Sequence, residues 1–190
     1  MSIRAFIAVE LPTEVRGSLG LLARELAASG ADVKWVEEAN LHVTMRFLGE
    51  ITEEQRQGLA TLLTAVAARR QPIPLRLSSL GGFPSLTSPR VVWVGVGQGH
   101  EELAAIAGDV EEGLARLGLP HEERAFIAHV TLGRVRSGRN LGRLVSQITA
   151  TTWTPPEPFV ADQLTLFQST LSSSGPIYTA LATLPFKQPS

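Results

Sequence analysis

Cysteine is absent from the 190 residues, which excludes disulfides, thiolate nucleophiles and cysteine-based metal sites. Long apolar runs are missing as well. The N-terminal run Ile3 to Val9 stops at Glu10 and Pro12, too short for the core of a signal sequence, and no stretch approaches membrane-spanning length. A soluble, cytoplasmic protein with no membrane partner is therefore expected. Strong charge of one sign is lacking too. With a net charge of -1 the chain has no global basicity for gripping a long phosphate backbone, so any nucleic-acid contact should be small and local.

The chain does contain the triplet His-x-Thr twice, as His42-Val43-Thr44 and His129-Val130-Thr131, each inside an alternating polar and apolar stretch. In a strand, side chains two apart share a face and lie roughly 6.6 Å apart along it, so each triplet aims an imidazole and a hydroxyl the same way. Leu41, Val43, Met45 and Phe47 are expected on one face, with His42, Thr44 and Arg46 on the other. In the second copy Ala128, Val130 and Leu132 form the apolar face, opposite His129, Thr131 and Gly133. A single copy reads as the polar side of a half-solvated strand. Two copies on matched strands, using two of only 4 histidines, read as a site. Apart from Lys34 and Lys187 the basic residues are arginines, and Arg46, Arg134, Arg136, Arg139 and Arg143 flank the triplets. The planar guanidinium fork suits phosphate.

The spacing predicts a strand over Ile3 to Val9, a helix opened by Pro12-Thr13 with the stripe Val15, Leu19, Leu22 and Leu26, a strand Val33 to Val36, and the first triplet strand Leu41 to Leu48. Thr52-Glu53-Glu54-Gln55 has the form of a capping box. It starts a helix with Leu59, Leu62, Leu63 and Val66 on one side. A strand Ile73 to Leu77, a Gly81-Gly82 turn and a buried strand Arg90 to Val96 follow. Leu103, Ile106, Val110, Leu114 and Leu117 mark another helix, ahead of the second triplet strand, Phe126 to Val135. A shorter helix is expected over Asn140 to Ile148, then strands Gln163 to Leu171 and Ile177 to Leu184 joined through Ser172-Ser173-Ser174-Gly175-Pro176. Each half thus holds strands, an amphipathic helix and one triplet, with no linker between, so residues 1–190 read as a single bilobal domain.

Other chemistries fit less well. Gly95-Val96-Gly97-Gln98-Gly99 has one residue where a dinucleotide fingerprint needs two between its second and third glycines, and reads as a strand-to-helix turn. Neither triplet carries the partner histidine or aspartate spacing of a zinc or iron site. His100 and His121 read as surface residues, and the Gly-x-Ser-x-Gly of a serine hydrolase is absent. Two-histidine acid and base work remains, since imidazole serves as base and conjugate acid near neutral pH. A phosphodiester needs both, plus donors for its nonbridging oxygens: Thr44 and Thr131, with Arg134 or Arg46 adding charge.

These residues resemble the two-histidine phosphoesterase superfamily, and most closely the RNA 2′,3′-cyclic phosphodiesterases historically described as 2′-5′ RNA ligases. The resemblance spans nearly the full length. It includes Arg4 to Pro12, Trp35-Val36, Leu41 to Glu50, Phe83, Arg90 to Gly95, His129 to Arg134 and Gly175 to Tyr178. It implies an α+β, bilobal, pseudosymmetric fold with antiparallel sheets around a central cleft and helices outside. It also implies that His42 is the general acid and His129 the general base, that Thr44 and Thr131 bond the phosphate, and that Phe47 and Arg134, each five residues after a histidine, line the substrate end. Ala128 departs from the proline that many relatives carry there. No cofactor and no metal are implied, and a monomer acting on RNA termini or small nucleotides with a 2′,3′-cyclic phosphate is expected. Hydrolysis to a 2′-phosphomonoester is the leading reading; ligation by the reverse reaction and a noncatalytic RNA-end binding module stay open.

Overall fold

Local sequence acts most directly at the start of the second helix, where the Thr52 hydroxyl accepts from the Gln55 amide (3.2 Å) and the Gln55 side chain accepts from the Thr52 amide (2.9 Å). This capping box satisfies two amides that the first helical turn leaves without partners. In the computed structural model, which describes residues 2–173 and 175–187, the strands are β1 (Ser2–Glu10), β2 (Val33–Trp35), β3 (His42–Thr52), β4 (Ile73–Leu75), β5 (Leu77–Phe83), β6 (Val91–Val96), β7 (His129–Val135), β8 (Phe159–Ala161), β9 (Gln163–Ser172) and β10 (Gly175–Pro185). The helices are α1 (Thr13–Ala27), α2 (Glu53–Ala67), α3 (His100–Leu114) and α4 (Leu141–Ala150). None of the described helices is long and apolar enough to cross a membrane.

Several expected boundaries move. Gly81 and Gly82 lie inside β5, paired with Trp93 and Val92, so they are strand residues and not a turn. The second triplet strand starts at His129, three residues later than expected, and residues 126–128 carry no regular structure. Gly175 and Pro176, expected in a loop, begin β10; Ser174 lies outside the described residues. Gly97 to Gly99 form the strand-to-helix turn. Gly99 has a φ of 83°, and a Cβ there would sit 2.3 Å from Leu75 Cδ2, so both the backbone and the packing require glycine.

The main sheet runs β10-β9-β1-β3-β7-β6-β5, antiparallel throughout, with β2 on the part of the β7 edge that β3 leaves open. A small ribbon, β4 with β8, stands apart. Two half-sheets meet at β3 and β7, whose ladder among the described residues is the single pair Val43–Val130. Ile7, Val9, Val43, Met45, Val92, Val94, Val130 and Leu132 point into one continuous apolar core with the helices. The histidines, on the other side of the same strands, face away from that core.

The lobes are not the two halves of the chain. Helix α1 packs on α4, β2 and β7, whereas α3 packs on α2 and β3. Each triplet strand is thus backed by a helix from the other half. The outer strands exchange in the same way, β5 joining β6 and β7 while β9 and β10 join β1 and β3.

Candidate active site

Antiparallel pairing at Val43 and Val130 sets His42 across from Thr131 and Thr44 across from His129. The two triplets are therefore related by an approximate twofold axis through the valine pair. Their imidazoles stand on a diagonal, where neighbours of an antiparallel pair are about 7–8 Å apart and their Cβ atoms somewhat closer, a separation on the scale of one phosphate group.

Past each triplet the register slips by one residue at an equivalent place. Ala8 pairs with Thr44 and Ile7 with Arg46, leaving Met45 without a partner on β1; Trp93 pairs with Thr131 and Val92 with Gly133, leaving Leu132 without one on β6. Each slip reverses the alternation beyond it. Arg46 shares the face of the core residue Ile7, and Gly133 that of Val92. Phe47 pairs with Phe6, and Arg134 pairs with Val91 and Lys34, on the histidine face. The simple alternation expected Arg46 and Gly133 beside the histidines and Phe47 in the core. All three stand on the opposite face, and the cause is the pair of bulges. Arg46 is occupied behind the sheet, its Nε 2.7 Å from Glu111 Oε2 on α3 and its Nη2 donating to the Pro120 carbonyl. Of the seven residues expected at the site, the structure gathers His42, Thr44, Phe47, His129, Thr131 and Arg134 on one face and separates Arg46.

Both rings are tethered in the same way. Nδ1 of His42 donates to the Asn40 carbonyl and Nδ1 of His129 to the Ile127 carbonyl, each at 2.7 Å. A carbonyl only accepts, so each neutral ring carries its proton on Nδ1 and keeps Nε2 for chemistry. The copies differ at that second nitrogen. His42 Nε2 is 2.9 Å from Thr44 Oγ1, while no corresponding bond joins His129 to Thr131 among the described residues.

Aromatic rings wall in each imidazole. Phe6 stacks on His42 at 4.9 Å between centroids, and Tyr178 meets it edge-on at 5.5 Å. Phe83 meets His129 edge-on at 5.1 Å, and Trp93 lies 5.7 Å from it. Burial among these rings lowers the pKa of His42, opposed by the Asn40 hydrogen bond and reinforced by the charge of His129. The same burial lowers His129, opposed by its bond to Ile127 and reinforced by the charge of Arg134. Burial raises Tyr178, against the pull of Arg134 and Arg4. A positive charge on His129 thus disfavours one on His42, on the same face of the sheet.

Phe6, Trp93, Phe83 and Tyr178, and the carbonyls of Asn40 and Ile127, carry no role in a reading of the triplets alone. Phe6 and Trp93 have a local signal: each lies two residues from a small residue, Ala8 or Gly95, on the histidine face. Tyr178 has no such pattern, because it arrives from the far end of the chain; its one signal is that it ends the stretch Gly175 to Tyr178 that resembles the family. No group of three or more potential metal ligands occurs among the described residues.

Helices on one face of an antiparallel sheet, with two His-x-Thr strands juxtaposed on the other, define a two-histidine phosphoesterase. The chain belongs to the LigT like phosphoesterase family, whose sequence model matches twice, over residues 9–93 and 94–178. An RNA 2′,3′-cyclic phosphodiesterase of Aeropyrum pernix is 38% identical over 165 residues, 87% of this chain and 93% of that one. The crystal structure of TT0787 of Thermus thermophilus superposes with a TM-score of 0.80 at 27% identity, covering 97% of this chain and 98% of that one. E. coli LigT complexed with 3′-AMP gives a TM-score of 0.79 at 28% identity, covering 99% and 100%. The duplicated match agrees with the fold: the spacing from His42 to His129 is also that from Thr13, the first residue of α1, to His100, the first of α3.

Proposed function

We propose that the protein hydrolyses the terminal 2′,3′-cyclic phosphate of RNA to a 2′-phosphomonoester, without a metal, using His129 as general base and His42 as general acid. The observation that carries this reading is the diagonal pair of imidazoles, each held through Nδ1 with Nε2 kept for proton transfer. One ring can take a proton on one side of a phosphate while the other gives one on the opposite side. The named activity of the Aeropyrum relative supports the substrate, and the nucleotide bound to E. coli LigT carries a ribose phosphate of similar size.

In the reaction, water attacks phosphorus as His129 Nε2 takes its proton. The bond from phosphorus to the 3′ oxygen breaks, and that oxygen takes the proton of His42 Nε2. One water is consumed, and the product has a 2′-phosphate and a free 3′-hydroxyl. The free Nε2 of His129 suits water activation, whereas Thr44 already engages that of His42. Thr131 and Thr44 donate to the nonbridging oxygens, Arg134 supplies charge, and Phe47 offers an exposed ring for a base.

Incubation with a 2′,3′-cyclic mononucleotide and with an RNA bearing that terminus tests the reading, with phosphorus NMR of the product. A 2′-phosphate is expected, unaffected by exhaustive chelation, with His42→Ala and His129→Ala each lowering turnover by roughly 10² to 10⁴. No turnover of either substrate sinks the proposal, a 3′-phosphate reverses the assignment of acid and base, and restoration by added metal after chelation refutes metal independence.

A further inference from the structure

The two histidines differ in what holds their tethers. The Ile127 carbonyl that orients His129 belongs to an irregular segment, and the Ile127 side chain is exposed. The Asn40 carbonyl that orients His42 ends a short 3-10 turn, Glu38–Asn40, and the Asn40 side chain is itself anchored: its Nδ2 donates to the carbonyl of Pro176 at 3.0 Å. Pro176 lies in β10, next to the tip of the β9–β10 hairpin. Two residues on, Tyr178 sets its ring edge-on against both His42 (5.5 Å) and Phe6 (4.7 Å).

In the sheet order, β9 and β1 stand between β10 and β3. A flat sheet of that order holds β10 about 14 Å from β3. A 3.0 Å bond to Asn40 and a ring contact with His42 therefore require the start of β10 to curl back over the histidine face. Beyond Gln168 no ladder joins β9 to β1 among the described residues, so the start of β10, paired with β9 alone, is not held on this course by the rest of the sheet. The contacts with Asn40 and His42 supply the reason.

We propose that the β9–β10 hairpin is a positioning element for His42, with Asn40 and Tyr178 as its two points of action. The proposal rests on the reading of His42 as the general acid. Asn40 fixes the carbonyl that selects the Nδ1 tautomer, and Tyr178 fixes the ring plane and excludes water from it. Neither residue needs to touch the reacting phosphate. On the other side the sheet ends at β5, and the aromatic wall of His129 comes from Trp93 on the neighbouring β6 and Phe83 on β5, so among the described residues no third strand out reaches that ring as β10 reaches His42.

Asn40→Ala and Tyr178→Leu test this by two separate routes. Each is expected to lower kcat on a 2′,3′-cyclic nucleotide about tenfold with KM held within about twofold, the signature of a displaced acid. In the NMR titration of the ring protons, the His42 midpoint rises in Tyr178→Leu as water reaches the ring and falls in Asn40→Ala as the carbonyl bond that favours the charged ring loosens, while that of His129 stays in both. The double variant loses less than the product of the two single losses, because both act through one hairpin. If Asn40→Ala does not fold, Tyr178→Leu decides alone. A folded variant in which both histidines titrate as in the parent, or in which both midpoints move together, overturns the proposal. Should the parent turn over no cyclic phosphate, the reaction assignment fails, and the histidine titrations still decide the role of the hairpin.

Discussion

Arg46 and Glu111 form an ion pair at 2.7 Å on the side of β3 that faces away from His42. Only 12% and 18% of their side-chain surfaces are exposed. Glu111 also accepts from the Glu122 amide (2.8 Å) and pairs with His121. One carboxylate thus joins the bulged triplet strand, helix α3 and the loop that leads to His129. Burial pushes the Glu111 pKa up, and Arg46, the Glu122 amide and His121 more than offset it, leaving the pKa below the ordinary value.

Arg46→Gln is expected to act on stability rather than on phosphate binding. Removing one member of a mostly buried pair leaves the carboxylate without its guanidinium, a loss of about 1–3 kcal/mol after allowance for partial exposure. Because the folded-state pKa of Glu111 is depressed, its contribution is present above its unfolded pKa and disappears as pH falls through the folded value. The variant should lose stability most near neutral pH and converge on the parent in acid. A variant as stable as the parent at neutral pH, or a KM raised tenfold with stability intact, would place Arg46 in the cleft after all.

Arg134→Gln should behave in the opposite way. Arg134 is exposed, forms no ion pair among the described residues, and reaches both His129 and Tyr178 with its charge. Thermal stability should stay within about 0.5 kcal/mol of the parent, as for a surface substitution. Loss of a charge-assisted bond to phosphate should lower kcat/KM by about tenfold or more. The His129 pKa should rise slightly as a neighbouring positive charge is removed. Unchanged kcat/KM would exclude Arg134 from the substrate end.

How much of this could be read from the chain is clearest at Met45 and Leu132. Up to Thr44 and Thr131, alternation alone assigns each side chain to its observed face, because the period of a strand is a local property. Met45 and Leu132 are still in the core as alternation expects, but just past them it fails, at Arg46, Phe47 and Gly133, since a bulge is set by which residues of the neighbouring strand find partners, and nothing in His-Val-Thr-Met-Arg-Phe encodes that. Helix stripes were equally legible: Val15, Leu19, Leu22 and Leu26 are all buried as their spacing demands. Their destination was not. The same stripe packs equally well on a strand from either half, so the exchange of α1 and α3 between lobes emerges only from the assembled fold. Tyr178 lies more than a hundred residues from His42, and no local pattern joins them.

Gly81→Ala is expected to injure the second half of the site without touching it. Trp93 lies flat over Gly81, where a Cβ would stand 2.2 Å from the indole ring, and the same ring flanks His129 at 5.7 Å. The added methyl must push Trp93 toward the histidine or bend β5, an overpacking cost of about 1–3 kcal/mol. Turnover should fall more than stability alone explains, and the His129 titration should move while that of His42 stays. A variant with parental kinetics and an unmoved His129 would show that the indole is not what holds the ring.

The pH dependence follows from the two depressed imidazoles. With His42 as acid and His129 as base, as proposed, productive encounter would require His42 protonated and His129 neutral in the free enzyme, and burial lowers both pKa values below 6.5. A bell governed by two such groups is centred between them, so kcat/KM should peak on the acid side of 6.5 and decline through neutrality as His42 loses its proton. Once substrate is bound, the phosphate anion beside the rings favours their charged forms, and both limbs of kcat should shift to higher pH. Rates measured from about pH 5 to about pH 9, over the range in which imidazole titrates, decide the matter. A maximum of kcat/KM above neutrality would mean that the rings are not desolvated as their aromatic walls imply. A profile flat across that range would remove paired imidazoles from the mechanism.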